Sequence, residues 1–203
     1  MTDKDWTGNK KTTFAQLGAS NHSDSEREVN DFYATDPESL KIFLDKIKED
    51  RTVCLHNNIW ECACGQGHLS EVLKERGYNV LSTDLVDRGY GTSGKDFLKI
   101  DGLYTLDILT NPPYKYAEEF VWHSLDILDE GYYCIMFLKI QFLEGKARRE
   151  LFKQYPPKYV YVNSERQTCY INGDMSEKKS SASCYCWFVW QKGYSGDTIV
   201  KWI

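Results

Sequence analysis

The sequence predicts an α/β fold, a mostly parallel sheet with helices on both faces and an antiparallel hairpin at its C-terminal end. Six short apolar runs, at 58–62, 79–83, 106–110, 132–138, 159–163 and 185–190, have the length and residue types of buried strands. Helical patterns fall between them at 68–76, 116–128 and 146–154, the alternation that builds βαβ units. The last two runs are separated only by a polar connection, 164–183, rich in Ser, Lys and Asn. Without a crossover helix they are expected to pair antiparallel and to project a long loop.

The elements follow in order. Residues 1–30 are polar, with Trp6, Phe14, Leu17 and Val29 as the only large apolar anchors, and are read as a flexible N-terminal arm. Asp36-Pro37-Glu38 opens a helix, with Asp36 as N-cap and proline in the first turn. Leu40, Phe43, Leu44 and Ile47 supply its apolar face. The run 58–62 leads into Cys64-Gly65-Gln66-Gly67-His68, a strand, a Gly-x-Gly turn and a helix start. Glycines there allow a ligand to approach the backbone. A dinucleotide site would carry a third glycine at position 70, where this chain has Ser70, which disfavours a pyrophosphate ligand. Asp84 ends the next strand, at a sheet edge suited to accepting hydrogen bonds from a ribose diol. Asp96-Phe97 offers an acceptor for an exocyclic amine beside an aromatic ring.

The most informative segment is Asn111-Pro112-Pro113-Tyr114, directly after the apolar run ending at Thr110. Proline lacks an N–H and holds the preceding residue extended. The turn therefore presents carbonyl oxygens, one side-chain amide oxygen and an aromatic face, which suits a planar group bearing NH2. The amine's two hydrogens would go to the Asn111 side-chain oxygen and the Pro112 carbonyl, and Tyr114 would stack on the ring.

Composition bounds the class. The 203 residues are 41% hydrophobic and 27% charged, enough for one domain with a real core. No apolar run spans a bilayer and the N-terminus has no secretory h-region, so a cytoplasmic protein with thiol cysteines is expected. Cys62-x-Cys64 and Cys184-x-Cys186 have the wrong spacing for zinc, and no metal is predicted. The net charge of −5 means that any contact with nucleic acid is local. The stretch 139–158 holds six basic and two acidic residues, and Lys139, Lys146, Arg148 and Arg149 are the candidate phosphate contacts.

Taken in order, Glu61, Gly65, Gly67, Asp84, Asp96-Phe97 and Asn111-Pro112-Pro113-Tyr114 closely resemble the motifs of class I S-adenosylmethionine-dependent methyltransferases, specifically the N6-adenine DNA methyltransferases. Phe32-Tyr33-Ala34-Thr35-Asp36-Pro37 is similar to that family's N-terminal segment. The segments 137–145 and 187–193 are similar to small members carried by phages and prophages. The resemblance spans about residues 31–192. It implies a Rossmann-like, seven-stranded domain over 31–203 with no separate target recognition domain. It implies S-adenosyl-L-methionine as cofactor, contacted by Tyr33, Thr35, Glu61, Cys62, Gly65, Gly67, Asp84, Leu85, Asp96, Phe97 and Asn111. It implies catalysis by the 111–114 turn, with adenine N6 in DNA as the target. An amide-bearing glutamine or an RNA base would also suit the turn. A methyltransferase fold that binds without catalysis is a further class.

Overall fold

The computed structural model describes residues 33–164, 169–171 and 184–203. The N-terminal arm at 1–30 and most of the 164–183 loop lie outside the described residues.

The main sheet has seven strands. In chain order these are β2 (Asn58–Glu61), β3 (Asn79–Ser82), β4 (Asp107–Thr110), β5 (Tyr133–Lys139), β6 (Tyr159–Val162), β8 (Tyr185–Gln191) and β9 (Ile199–Trp202). Across the sheet they run β3-β2-β4-β5-β8-β6-β9. β3, β2, β4 and β5 are mutually parallel, while β8 runs antiparallel to both neighbours. The fold class and the C-terminal hairpin are as the sequence predicts. The seventh strand is β9, parallel to β6, an Ile-Val-Lys-Trp run that was not among the six expected.

Two short strands form a separate ribbon. β1 (Tyr33–Thr35) pairs antiparallel with β7 (Cys169–Ile171), which joins the segment before the first helix to the long connection between β6 and β8. Part of that connection is thus a strand.

Period-two alternation divides the core between the two faces of the sheet. On β5, Tyr133, Ile135 and Phe137 point to one face and Cys134, Met136 and Leu138 to the other. The first face is covered by α1 (Pro37–Asp50) and α2 (His68–Glu75), through Leu40, Phe43, Leu44, Ile47, Leu69, Val72 and Leu73. The second is covered by α3 (Ala117–Ile127) and by Leu151 of α4 (Arg149–Gln154). α1 starts where its sequence says it should, with the Asp36 carboxylate accepting from the Glu38 N–H at 3.0 Å. Helix α4 is shorter than the expected 146–154. Arg148 sits at its N-cap position, and its Nε donates to the Phe142 carbonyl at 2.8 Å instead.

The largest buried anchor between α1 and the sheet is Trp187, with no solvent exposure. Its ring lies 5.0 Å from Phe43 and 4.7 Å from Phe137, and its Nε1 donates to the Ser39 carbonyl at 3.2 Å. Trp187→Ala is expected to cost about 3–5 kcal/mol, the range for deleting a fully buried aromatic side chain. Chemical denaturation of the two proteins checks this.

Among the described residues no helix is long and apolar enough to cross a membrane.

Candidate active site

Strand order reverses at β2, whose parallel neighbours are β3 on one side and β4 on the other. In an open α/β sheet the crevice at the carboxyl ends of such strands is where ligands bind. The turn after β2 carries the two glycines, the end of β3 carries Asp84, and the end of β4 carries Asn111. The three segments that the sequence singled out are brought together by topology.

They line one cleft of about 1170 Å³. Glu61, Cys62, Ala63, Cys64, Gln66 and His68 border it from the first turn, and Asp84, Leu85, Asp96 and Phe97 form a second wall. Asn111, Pro112, Pro113 and Tyr114 form a third, and Thr35 of β1 contributes from above α1. The volume exceeds that of a typical single-ligand pocket and leaves room for two reactants side by side.

The glycine turn is held by its own framework. Gly65 and Gly67 have φ of 55° and 84°, in the left-handed region. Asp84 ties this turn to β3, because its Oδ2 accepts from the Gly65 N–H at 2.8 Å and its Oδ1 from the Val86 N–H at 2.9 Å. A side chain at Gly67 would strike Tyr90, whose ring atoms lie 2.5 Å from an ideal Cβ position. Tyr90 is in turn fixed by its hydroxyl, which donates to Glu71 at 2.5 Å and accepts from Lys74 at 2.7 Å. The sequence argued for Gly67 from ligand approach and missed Tyr90, whose contact depends on how the 85–95 loop folds back. Gly67→Ala is expected to lower the melting temperature by several degrees, since both the φ and the Tyr90 contact oppose it. Differential scanning calorimetry measures this directly.

Beneath the turn lies a buried polar cluster. Ser70, with no exposure, donates to the Glu61 carboxyl and shares a hydrogen bond with Ser82 Oγ at 2.6 Å. The residue that stands where a dinucleotide site has glycine therefore supports Glu61. Glu61 is 2% exposed, and burial pushes its carboxyl up to about 8 against the ordinary 4.5. Cys62 and Cys64 lie in the turn beyond β2, because the strand ends at Glu61 and not at 62 as expected. Burial raises both thiols, Cys64 to about 12, so neither is a nucleophile at neutral pH.

On the second wall, Asp96 caps a short 3₁₀ turn (Phe97–Lys99), accepting from the Leu98 N–H at 3.2 Å and pairing with Lys99 at 2.9 Å. Phe97 is 2% exposed and packs edge-on to Trp60 at 5.3 Å and against Phe120 at 4.9 Å. It is a core residue whose edge reaches the cleft. Leu85, at the same end of the cleft, is 59% exposed.

The catalytic-turn candidate keeps its extended entry. The Pro113 carbonyl accepts from the Tyr116 N–H at 2.9 Å and so belongs to the following 3₁₀ turn (Tyr114–Tyr116). Pro112 is buried and Asn111 and Tyr114 are half-buried at the cleft wall. Lys139 lies 5.4 Å from the Tyr114 ring centre.

The four basic candidates separate. Lys139 lines the cleft, whereas Lys146 and Arg149 are exposed outside it. Arg148 donates to the carbonyls of Phe142, Gln141 and Glu144 and stacks on Phe142 at 4.9 Å, so it braces its own loop. Four cations at the cleft were not singled out from the sequence: Arg88, Lys95, Lys99 and Lys115. Their signal was adjacency, since Lys95 and Lys99 flank Asp96-Phe97 and Lys115 follows the proline turn. Thr35 borders the cleft, with a buried Oγ1 that has no hydrogen-bond partner among the described residues. Tyr33 is described only by its backbone in β1.

The residues fit a cationic nucleoside ligand. Two buried carboxyls face a cleft that also offers a left-handed glycine turn, an unsatisfied threonine hydroxyl and an apolar slot beside Leu85 and Phe97.

No family model and no curated protein matches this chain. Solved structures do. A protein from Listeria monocytogenes provisionally assigned as a class I S-adenosylmethionine-dependent methyltransferase superposes with a TM-score of 0.59 at 13% identity over 95% of this chain and 71% of its own. A type I restriction-modification methyltransferase subunit from Streptococcus thermophilus gives a TM-score of 0.59 at 14% identity over 83% of this chain, which spans 46% of that subunit. An RNA methyltransferase, so assigned provisionally, from Pyrococcus horikoshii gives 0.57 at 13% identity over 91% and 99%. The fold of this chain is the Rossmann-like fold of the class I methyltransferases.

Proposed function

We propose that this chain transfers a methyl group from S-adenosyl-L-methionine to an exocyclic amine, N6 of adenine in DNA. The observation that carries the reading is that the Asn111-Pro112-Pro113-Tyr114 turn opens into the same cleft as the glycine turn and the acids Glu61 and Asp84.

When bound, S-adenosyl-L-methionine supplies a methyl group on a positively charged sulfur. Asp84, and Glu61 once the cofactor's positive charge draws off its proton, bring negative charge to the floor of the cleft for the cofactor's cationic portion and ribose. Asp96, Leu85 and the edge of Phe97 form the slot for its adenine, and Thr35 offers its hydroxyl. At the β4 tip, the Asn111 side-chain oxygen and the Pro112 carbonyl accept the two hydrogens of the target amine. That pair of bonds draws the nitrogen away from planarity and frees its lone pair, and Tyr114 holds the ring by stacking. The contribution is positioning and electrostatic preorganisation, with no base acting before transfer. The target base must leave any duplex it belongs to, at a cost of a few kcal/mol.

Glu61 gives this site a pH dependence. Below about pH 8 its buried carboxyl holds a proton in the empty cleft. A cationic ligand favours the ionised form, so binding releases that proton and affinity rises from pH 6 to pH 8. Linkage limits the effect to about tenfold per pH unit. Calorimetric titration across that range with sinefungin, a cofactor analogue that carries a cationic amine in place of the sulfonium methyl, should show the rise for the wild type and a flat profile for Glu61→Gln.

The test of the function is mass spectrometry of nucleosides from cells that express the protein, against Asn111→Ala. N6-methyladenine in DNA that depends on Asn111 is the expected result. The mark in RNA, or on protein amides, would move the substrate and keep the chemistry. Cofactor binding with no methyl transfer to any of these would overturn the reading.

A further inference from the structure

Apart from Asp96, which is half-buried beside Lys95 and pairs with Lys99 at 2.9 Å, the charges of the cleft are sorted by depth. Glu61 and Asp84 are 2% and 9% exposed on its floor. The five cations that line it are exposed or half-buried at its lip: Arg88, Lys95 and Lys99 on one side, and Lys115 and Lys139 on the side of the proline turn. The Lys99 side chain is 82% exposed. In a chain of net charge −5 this ring cannot be a sample of a generally basic surface. It is a local positive field over a floor of two carboxyls, suited to a cation below and a polyanion above.

Apolar surface is interleaved with these cations. Tyr116, 43% exposed, stands beside Lys115, whose Nζ is 5.1 Å from its ring centre. Cations set beside an exposed ring form the kind of surface on which an unpaired base stacks while its phosphates are neutralised. A duplex offers its phosphates but keeps its bases inside, and would leave Tyr116 without a partner.

Resting on the methyltransferase reading of this cleft, we propose that its lip is a track for single-stranded nucleic acid. The target base enters beside Tyr114, a neighbouring base stacks on Tyr116, and the flanking phosphates lie on Lys115 and Lys139 to one side and Lys95, Lys99 and Arg88 to the other. The exposed pair Lys146 and Arg149, outside the cleft, is not part of this track.

The test is fluorescence anisotropy of the full chain, saturated with S-adenosylhomocysteine, against a labelled 20-nucleotide single strand and its duplex, each as DNA and as RNA, over a salt series. The single strand should bind at least tenfold more tightly than the duplex, and the DNA and RNA arms assign which polymer is preferred. Lys95→Gln with Lys99→Gln should make the log–log salt slope shallower by about 1.4, two phosphates at ~0.7 each for a single strand. Lys146→Gln with Arg149→Gln should leave it unchanged, and S-adenosylhomocysteine affinity reports that both variants keep the cleft. Equal binding of duplex, an unchanged slope in the Lys95/Lys99 variant, or a loss confined to the Lys146/Arg149 variant would overturn the track. Methyl transfer is read separately. Lip-dependent strand binding without transfer would sink the catalytic reading and keep the track, and transfer indifferent to the lip would do the reverse.

Discussion

Asn111→Ala is expected to lower the proposed methyl transfer by about 10²–10³-fold, the usual loss when one preorganised polar contact to the reacting group is removed. The reason lies in the position of Asn111 at the end of β4, where Pro112 fixes the backbone that follows. The amide oxygen is the one side-chain carbonyl that this turn contributes, and the Pro113 carbonyl is already committed to the Tyr116 N–H. Alanine leaves the amine one acceptor, from Pro112. The fold should not suffer, because Asn111 is half-buried on the cleft wall and outside the packed core. S-adenosylhomocysteine affinity should therefore stay close to wild type while the rate of labelled methyl incorporation collapses. A variant with full activity would remove Asn111 from the mechanism.

Asp84→Ala acts on the other half of the site. The sequence assigns Asp84 to a ribose diol, and the structure adds that its two oxygens accept from Gly65 and Val86. Hydrogen bonds to a charged group contribute about 1.5–3 kcal/mol each. Alanine leaves two backbone donors without their acceptor and releases the glycine turn from the end of β3. Cofactor affinity should fall by at least about tenfold, which corresponds to 1.4 kcal/mol. The melting temperature should fall with it. Asp84→Asn retains one oxygen acceptor and should lie between alanine and wild type in both measurements. Unchanged cofactor affinity in Asp84→Ala would remove the carboxylate from the binding site.

The parts of this protein that were legible in its sequence are those fixed by local chemistry. Apolar runs and helical periods gave six strands and the helices between them, because burial on both faces of a parallel sheet demands such runs. The Asp36 cap and the proline turn each follow from backbone constraints that a few residues impose. What escaped depends on contacts distant in the chain. Tyr90 matters only because the 85–95 loop closes on itself, with the Lys95 N–H donating to the Asp84 carbonyl at 3.0 Å. Ser70 looked like the loss of a glycine and is the donor that holds a buried Glu61. The basic stretch after β5 stood out by its local charge, yet Arg148 braces its own loop and only Lys139 of that group reaches the cleft. The cations at the lip come from three separate segments, and only the fold sets them around one opening. β9 was overlooked because it is a mostly exposed strand at the sheet edge and lacks the apolar run of a buried strand.

The central claim is that one amine is gripped at the β4 tip while the cofactor lies in the half of the same cleft beside the turn after β2. The most direct measurement is a crystal structure with sinefungin, a cofactor analogue that carries an amine where the transferable methyl would be. The account predicts that this amine lies within hydrogen-bonding distance, about 3 Å, of the Asn111 side-chain oxygen or the Pro112 carbonyl. An analogue bound with that amine directed away from residues 111–114, or bound outside the cleft, would contradict it.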